Sequence, residues 1–303
     1  MAEPSHARPE WTRREERSHD AALRLMAWLS LHLGRRVSRW VLHGIAAYFV
    51  LFAPQARRAS RQYLSRALGR PAGWRDVYVH VLSFASTVHD RVYLLNDRFD
   101  LFDIRTSGQE LVQAFQAQGQ GVIMIGAHLG SFEALRAVGR HVGGARVAMM
   151  MYEDNARKIN RALKAINPAA VQDIIALGQP GSMLSARDRL DEGCLVGMLA
   201  DRRLGTDPVA MQDFLGAAAP FPDGPFRVAA MLRRPVVFMA GLYLGGNRYH
   251  IHFEPLADFS NIGPAQRAAA VADAQRAYAE RLSRFCRIAP YNWFNFFDFW
   301  RAS

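Results

Sequence analysis

Apolar positions crowd the first part of the chain at helical spacing. Leu23, Leu25, Met26, Trp28, Leu29 and Leu31 fall in one predicted helix and residues 41–52 in a second, with Arg35, Arg36 and Arg39 between them. Residues 73–104 interleave aromatic and charged positions and read as helix, with a loop at Asn96 to Arg98. Helix formers run from Gln109 to Ala117 and stop at Gly119 and Gly121. There the period changes. Val122 to Ile125 is an unbroken apolar run that passes into small residues, which predicts a buried strand, a tight turn and a helix beginning near Ser131. Further strand-like pieces lie at 145–152, 174–177, 194–199 and 235–244, and helical ones at 155–166, 183–192 and 264–286. Residues 249–253, reached across Gly245-Gly246-Asn247, complete a predicted hairpin.

Strands alternating with helices over residues 109–256 predict an α/β fold: a mixed or mostly parallel sheet flanked by helices, with an N-terminal apolar helical arm. Without an internal repeat or a low-complexity linker, the simplest division is a loose polar arm over 1–20, an apolar helical segment over 21–72 and an α/β domain over 73–303. Half of the 303 residues are hydrophobic, which excludes a disordered chain.

Charge narrows the partners. The net charge of +11 calls for an anionic one, and the absence of any recognisable nucleic-acid module turns attention to membranes and acidic proteins. The uncharged run from Trp40 to Ala53 is shorter than the roughly 20 residues that span a bilayer. Arg57, Arg58, Arg61 and Arg66 flank it and would suit an anionic membrane surface, although two ordinary core helices with solvated arginines fit the same pattern. Cys194 and Cys286 lack metal-ligand or disulfide spacing and read as packed thiols, so no metal is expected. The polar N-terminus lacks a secretory pattern, so the protein is not expected to be exported, and the two unpaired cysteines fit a reducing cytoplasm.

Candidate chemistry sits at the turn after the Val122 strand, in Gly126-Ala-His128-Leu-Gly130-Ser131-Phe-Glu133. A histidine can act as a general base near neutral pH, and a carboxylate bonded to its other ring nitrogen fixes the tautomer. Five residues apart on one ideal helix, two side chains diverge by about 140°. His128 and Glu133 can therefore meet only with His128 in the turn and Glu133 in the first helical turn, and Gly126, Ala127 and Gly130 are the small residues such a turn needs. A strand-end histidine bonded to backbone, with Glu133 capping the helix, is the plainer alternative.

The same stretch resembles the His-x4-(Asp/Glu) signature of the lysophospholipid acyltransferase superfamily, and most of all its late lipid A biosynthesis branch. Further blocks resemble that branch in order: Tyr152-Glu-Asp-Asn155-Ala-Arg157, Leu199-Ala-Asp201-Arg202, Phe214-Leu-Gly216 with Phe221-Pro222, Arg234-Pro235, and the tail Tyr291-Asn292-Trp293-Phe294. The resemblance implies an O-acyltransferase that moves a fatty acyl group from an acyl carrier protein or coenzyme A thioester to a hydroxyl of an anionic membrane lipid or glycolipid. It needs no cofactor beyond that co-substrate. It further implies His128 as general base and Glu133 as its orienting carboxylate, with Asn155, Arg157, Asp201 and Arg202 binding substrate. Backbone amides near Gly130 and Ser131 would serve the oxyanion. The implied location is the cytoplasmic face of the bacterial inner membrane, with a peripheral, monotopic or single-span attachment. Two departures, Asp201-Arg202-Arg203 in place of an Asp-Gln pairing and an unusually aromatic tail, suit a relative acting on another acceptor, such as those of aryl-polyene or other envelope-lipid synthesis. A non-catalytic lipid or carrier-protein binder with this fold, and a thioesterase, are the alternatives. The absence of a Gly-x-Ser-x-Gly elbow disfavours a serine hydrolase.

Overall fold

The computed structural model describes residues 20–134, 146–153, 155, 163, 166, 167, 173–179, 181–203 and 207–301; all but the last residue of the predicted arm over 1–20 and most of the basic helix over 155–166 lie outside them. Helix α1 spans Asp20–Phe52 and is broken at Gly34, whose φ of 77° and ψ of 161° leave the helical region. The break falls on the glycine, one residue before the arginines expected to separate two helices, because glycine alone takes that conformation without steric cost. Ser38, Leu42, Ala46 and Val50 recur every fourth residue and are buried, forming the inward stripe of the second half. Helix α2, Pro54–Leu68, starts on a proline, which needs no amide partner there, and ends at Gly69 in the left-handed conformation. It leaves the Ser30–Phe52 portion of α1 at 96°; among the described residues no single helix is long and apolar enough to cross a membrane, and only this bent pair is so by length and composition. Helix α3 spans Trp74–Leu94, and the Asp76 carboxylate accepts the Gly73 amide at 2.8 Å to cap it.

The body is a seven-stranded sheet. In chain order its strands are β1 Asp103–Ser107, β2 Val122–Gly126, β3 Val147–Tyr152, β4 Asp173–Leu177, β5 Leu195–Leu199, β8 Pro235–Tyr243 and β9 Arg248–Asp258, and across the sheet the order is β1-β9-β8-β2-β5-β3-β4. All neighbours are parallel except the β8–β9 hairpin, which was legible from its glycine turn. Helices α4 Gln109–Ala117, α5 Ser182–Asp191, α6 Gly224–Leu232 and α7 Arg267–Ile288 connect or follow the strands. Strand β2 is buried on both faces, with alternate residues serving different layers. Ile123 and Ile125 join a core with Phe238, Tyr278, Tyr63 and Leu64, while Val122 and Met124 pack with Val237, Met239 and Tyr249. Both cysteines are buried, as their apolar settings suggest.

A second, two-stranded sheet pairs β6 Val209–Phe214 with β7 Ala217–Pro222 and was not expected. Ala-Ala-Ala-Pro-Phe-Pro carries few strand formers, so local propensity does not announce it. Its turn holds Leu215 and Gly216 at positive φ, the hairpin conformation, and Leu215 accepts that strain while buried and donating its amide to Ser283 Oγ at 3.2 Å.

Candidate active site

The geometry begins with strand register. Strands β2 and β5 are parallel neighbours at the centre of the sheet, and their last paired residues are Gly126 and Leu199. His128 and Asp201 each follow two residues later, so the pairing carries both side chains off the carboxyl ends of adjacent strands into one crevice, the usual place for chemistry in an open α/β sheet. His128 Nδ1 lies 2.8 Å from Asp201 Oδ1, and the His128 backbone amide donates to Asp201 Oδ2 at 3.0 Å.

Asp201 is wholly buried, yet ionised. Burial disfavours its charge, but the charge and hydrogen bonds of His128, together with the nearby Arg202 guanidinium, outweigh that cost and hold the carboxyl down at about 2. An ionised carboxylate cannot donate, so Nδ1–H of His128 is the donor and the basic lone pair belongs to Nε2. The His128 side chain is 30% exposed, so the base is open to the crevice while its partner is sealed beneath.

The C-terminal tail completes the site. Trp293 Nε1 and Asn295 Nδ2 both donate to Asp201 Oδ2, at 2.9 and 3.0 Å. The tail also pairs with the turn: Gly130 N donates to Asn292 O and Phe294 N to His128 O, each at 2.8 Å, and Leu129 bridges Trp293. Ser131 N donates to Gly241 O at 2.7 Å. Gly130 sits at a φ of 71°, and a Cβ there would come within 1.9 Å of Gly241 O, so no other residue fits this close approach of turn to sheet.

These contacts revise the expected roles. Glu133, read as the partner of His128, is instead ion-paired with Arg91 of α3 at 2.8 Å and buried. The physical reason is direction: Glu133 opens a helix that starts at Phe132, and its side chain leaves the crevice toward α3, while Asp201 arrives from the neighbouring strand. Gly130 and Ser131 form the turn, but their amides are committed to Asn292 and Gly241 and so are not oxyanion donors. Ser131 Oγ accepts the Ala134 amide at 3.3 Å as the helix cap. Asp201, expected to touch substrate, holds His128. Arg202 donates from Nε to Asn295 Oδ1 at 2.6 Å and from Nη2 to Phe294 O at 3.0 Å, which ties it to the tail. Asn155 is half-buried in a helical turn after β3, and Arg157 lies outside the described residues.

Sequence reasoning singled out Asp201 and Trp293 as parts of blocks but assigned neither to His128, and it passed over Asn295 and Arg91. The signal that could have found Asp201 was the matching position of two small-residue strand ends, each followed by one polar side chain. What the crevice can do is general-base chemistry: an imidazole of fixed tautomer, backed by a buried carboxylate, can take a proton from a hydroxyl or from water.

No match was found among curated proteins. The family model of the bacterial lipid A biosynthesis acyltransferases matches residues 19–302, spanning the apolar helices, the His128 turn and the aromatic tail alike. The chain belongs to the bacterial lipid A biosynthesis acyltransferase family.

Proposed function

We propose that the protein transfers a fatty acyl group from a thioester, carried by acyl carrier protein or coenzyme A, to a hydroxyl of a lipid or glycolipid acceptor. Family membership supports acyl transfer to acceptors of the lipid A type. The single observation that carries the mechanism is the 2.8 Å bond from His128 Nδ1 to the buried carboxylate of Asp201. His128 Nε2 takes the acceptor proton as the hydroxyl oxygen attacks the thioester carbonyl. Asp201 stabilises the imidazolium, and the carbon–sulfur bond breaks as Nε2 returns the proton to the departing thiolate. One ester bond forms, one thioester bond is lost, and no covalent enzyme intermediate is needed.

The remaining parts of the proposal follow from charge and surface. Acyl carrier proteins are acidic and inner-leaflet lipids anionic, so a net charge of +11 favours both encounters. The family is membrane-associated, and we place this member peripherally on the cytoplasmic face of the inner membrane, seated through α1.

Acyl transfer by purified protein tests the assignment. His128→Ala should abolish transfer in a folded protein. Asp201→Asn should lower kcat by about 100-fold or more, because the amide no longer enforces the Nδ1–H tautomer or stabilises the imidazolium. Glu133→Gln should keep most of kcat, since its carboxylate serves Arg91. Full activity in Asp201→Asn together with an inactive, folded Glu133→Gln would return the orienting role to Glu133.

A further inference from the structure

The Asp201 carboxylate is held on more sides than an ion pair requires. Oδ1 faces His128 Nδ1, and Oδ2 accepts three donors: the His128 amide, Trp293 Nε1 and Asn295 Nδ2. Rotation about its χ2 would break all of them at once in a buried setting, where each unmade bond to a charge is expensive. Two of the three come from the tail, some ninety residues away in the chain.

Each of these donors is itself fixed. Arg202 can only donate and ionised Asp201 can only accept, so the Asn295 amide has one workable orientation, Oδ1 toward Arg202 Nε and Nδ2 toward Asp201. The indole of Trp293 is fully buried among Tyr63, Phe214 and Phe299, with ring centroids at 4.9, 5.0 and 4.8 Å. Its carbonyl accepts from His80 Nε2 at 2.9 Å, which ties this part of the tail to α3.

We infer that Trp293 and Asn295 are positioning residues for acyl transfer, acting through Asp201 to keep Oδ1 aimed at His128. The inference rests on the reading of His128 and Asp201 as the working pair. Neither residue needs to touch substrate. The charged and titratable groups facing Asp201 are His128, Arg202, Tyr278 and Cys286; burial raises the Tyr278 hydroxyl and the Cys286 thiol, so both stay protonated and neutral beside it.

Two variants test it. Trp293→Phe keeps an aromatic ring and removes the indole donor; kcat should fall about 10-fold, the usual loss for one hydrogen bond to a buried charge, with KM within about threefold. Asn295→Asp keeps the shape and the acceptor for Arg202 but replaces the donor by a group that can donate only when protonated. Its kcat relative to wild type should fall as pH rises, since deprotonation sets a second anion against Asp201. A residue of purely structural importance would lower kcat in proportion to lost folded protein, with a ratio independent of pH. Should either variant fail to fold, the wild-type indole N–H resonance of Trp293 decides: Asp201→Asn should shift it upfield, and an unmoved resonance overturns the inference. Wild-type kcat and a flat ratio in folded Trp293→Phe and Asn295→Asp also overturn it, while an inactive His128→Ala leaves the proposed reaction standing. An active His128→Ala would sink that reaction instead.

Discussion

His80 carries no charge in the folded protein. It is fully buried on α3, and its two ring nitrogens are both spoken for: Nε2–H donates to Trp293 O at 2.9 Å, which leaves Nδ1 to accept from Ser60 Oγ at 2.8 Å. Burial drives it down to about 4, the Trp293 carbonyl opposing only in part. An unfolded histidine binds its proton near 6.5, so between about pH 6.5 and 4 the unfolded state holds one proton more than the native state. The stability this group contributes is present above pH 6.5 and lost as pH falls toward 4, by roughly 3 kcal/mol in all. Asp201, depressed from 3.8 to about 2, gives up its share only below that window. Denaturant unfolding at several pH values should show the wild type weakening from pH 6.5 to 4 and His80→Gln weakening less. Half-buried His252, also lowered to about 4, leaves the variant a residual slope. Equal slopes for the two proteins would show that His80 titrates outside this range. At this scale the sequence reveals His128 and hides the carboxylate bonded to it. The spacing from His128 to Glu133 is local and readable, whereas Asp201 lies 73 residues on and meets His128 only through the register of two strands.

Among the elements, α1 is secured by a buried charge. Arg35, just past the break at Gly34, donates from Nε and Nη2 to both oxygens of Asp90 on α3, at 2.8 and 2.9 Å, and Tyr249 of β9 donates to the same carboxylate at 2.8 Å. Asp90 is wholly buried; burial disfavours its charge, but His89, Arg35 and Tyr249 hold it ionised. Removing one member of such a set strands the others, which typically costs about 3–5 kcal/mol. Asp90→Ala should lose that much in urea unfolding, with the first half of α1 becoming sensitive to protease; a loss under about 1 kcal/mol would mean that apolar packing of Leu42, Ala46 and Val50 alone holds the helix. Elements with a clear apolar pattern are readable, α4 by its helical spacing and β8 by its unbroken apolar run. Strand β1, Asp-Ile-Arg-Thr-Ser, is not: it is a short, half-exposed edge whose place is given by pairing with β9 instead of by its own residues. The β6–β7 hairpin escapes for the same reason, its strained turn being sustained by α7 through Ser283.

On the scale of the whole molecule, the outward face of α1 has no counterpart among the described residues. Leu33, Val37, Trp40, Val41, Tyr48, Leu51 and Phe52 recur at helical spacing on the side opposite Ser38, Leu42, Ala46 and Val50, and Trp40 and Phe52 are 78% and 68% exposed. An apolar stripe of this extent in water marks a surface that binds something. Exposed Arg36 lies on α1 itself, exposed Arg58 and Arg61 follow on α2, and Arg57 sits 4.6 Å over the ring of exposed Trp74. Aromatic and apolar side chains rimmed by guanidinium groups match an anionic bilayer interface, where rings settle at headgroup depth and each nearby cation adds about 1 kcal/mol. The 96° bend between α1 and α2 suits a helix lying along that interface better than one crossing it. The protein should therefore sediment with vesicles containing phosphatidylglycerol, less so as salt rises, and weakly with phosphatidylcholine alone whatever the salt. Trp40→Glu with Phe52→Glu should release it from either vesicle while leaving its melting temperature unchanged, because neither side chain is buried in the fold. Vesicle binding by this double variant at the wild-type level would move the membrane contact to another face. Loss of binding with full activity on a detergent-dispersed acceptor would separate the seating of the protein from the chemistry at His128.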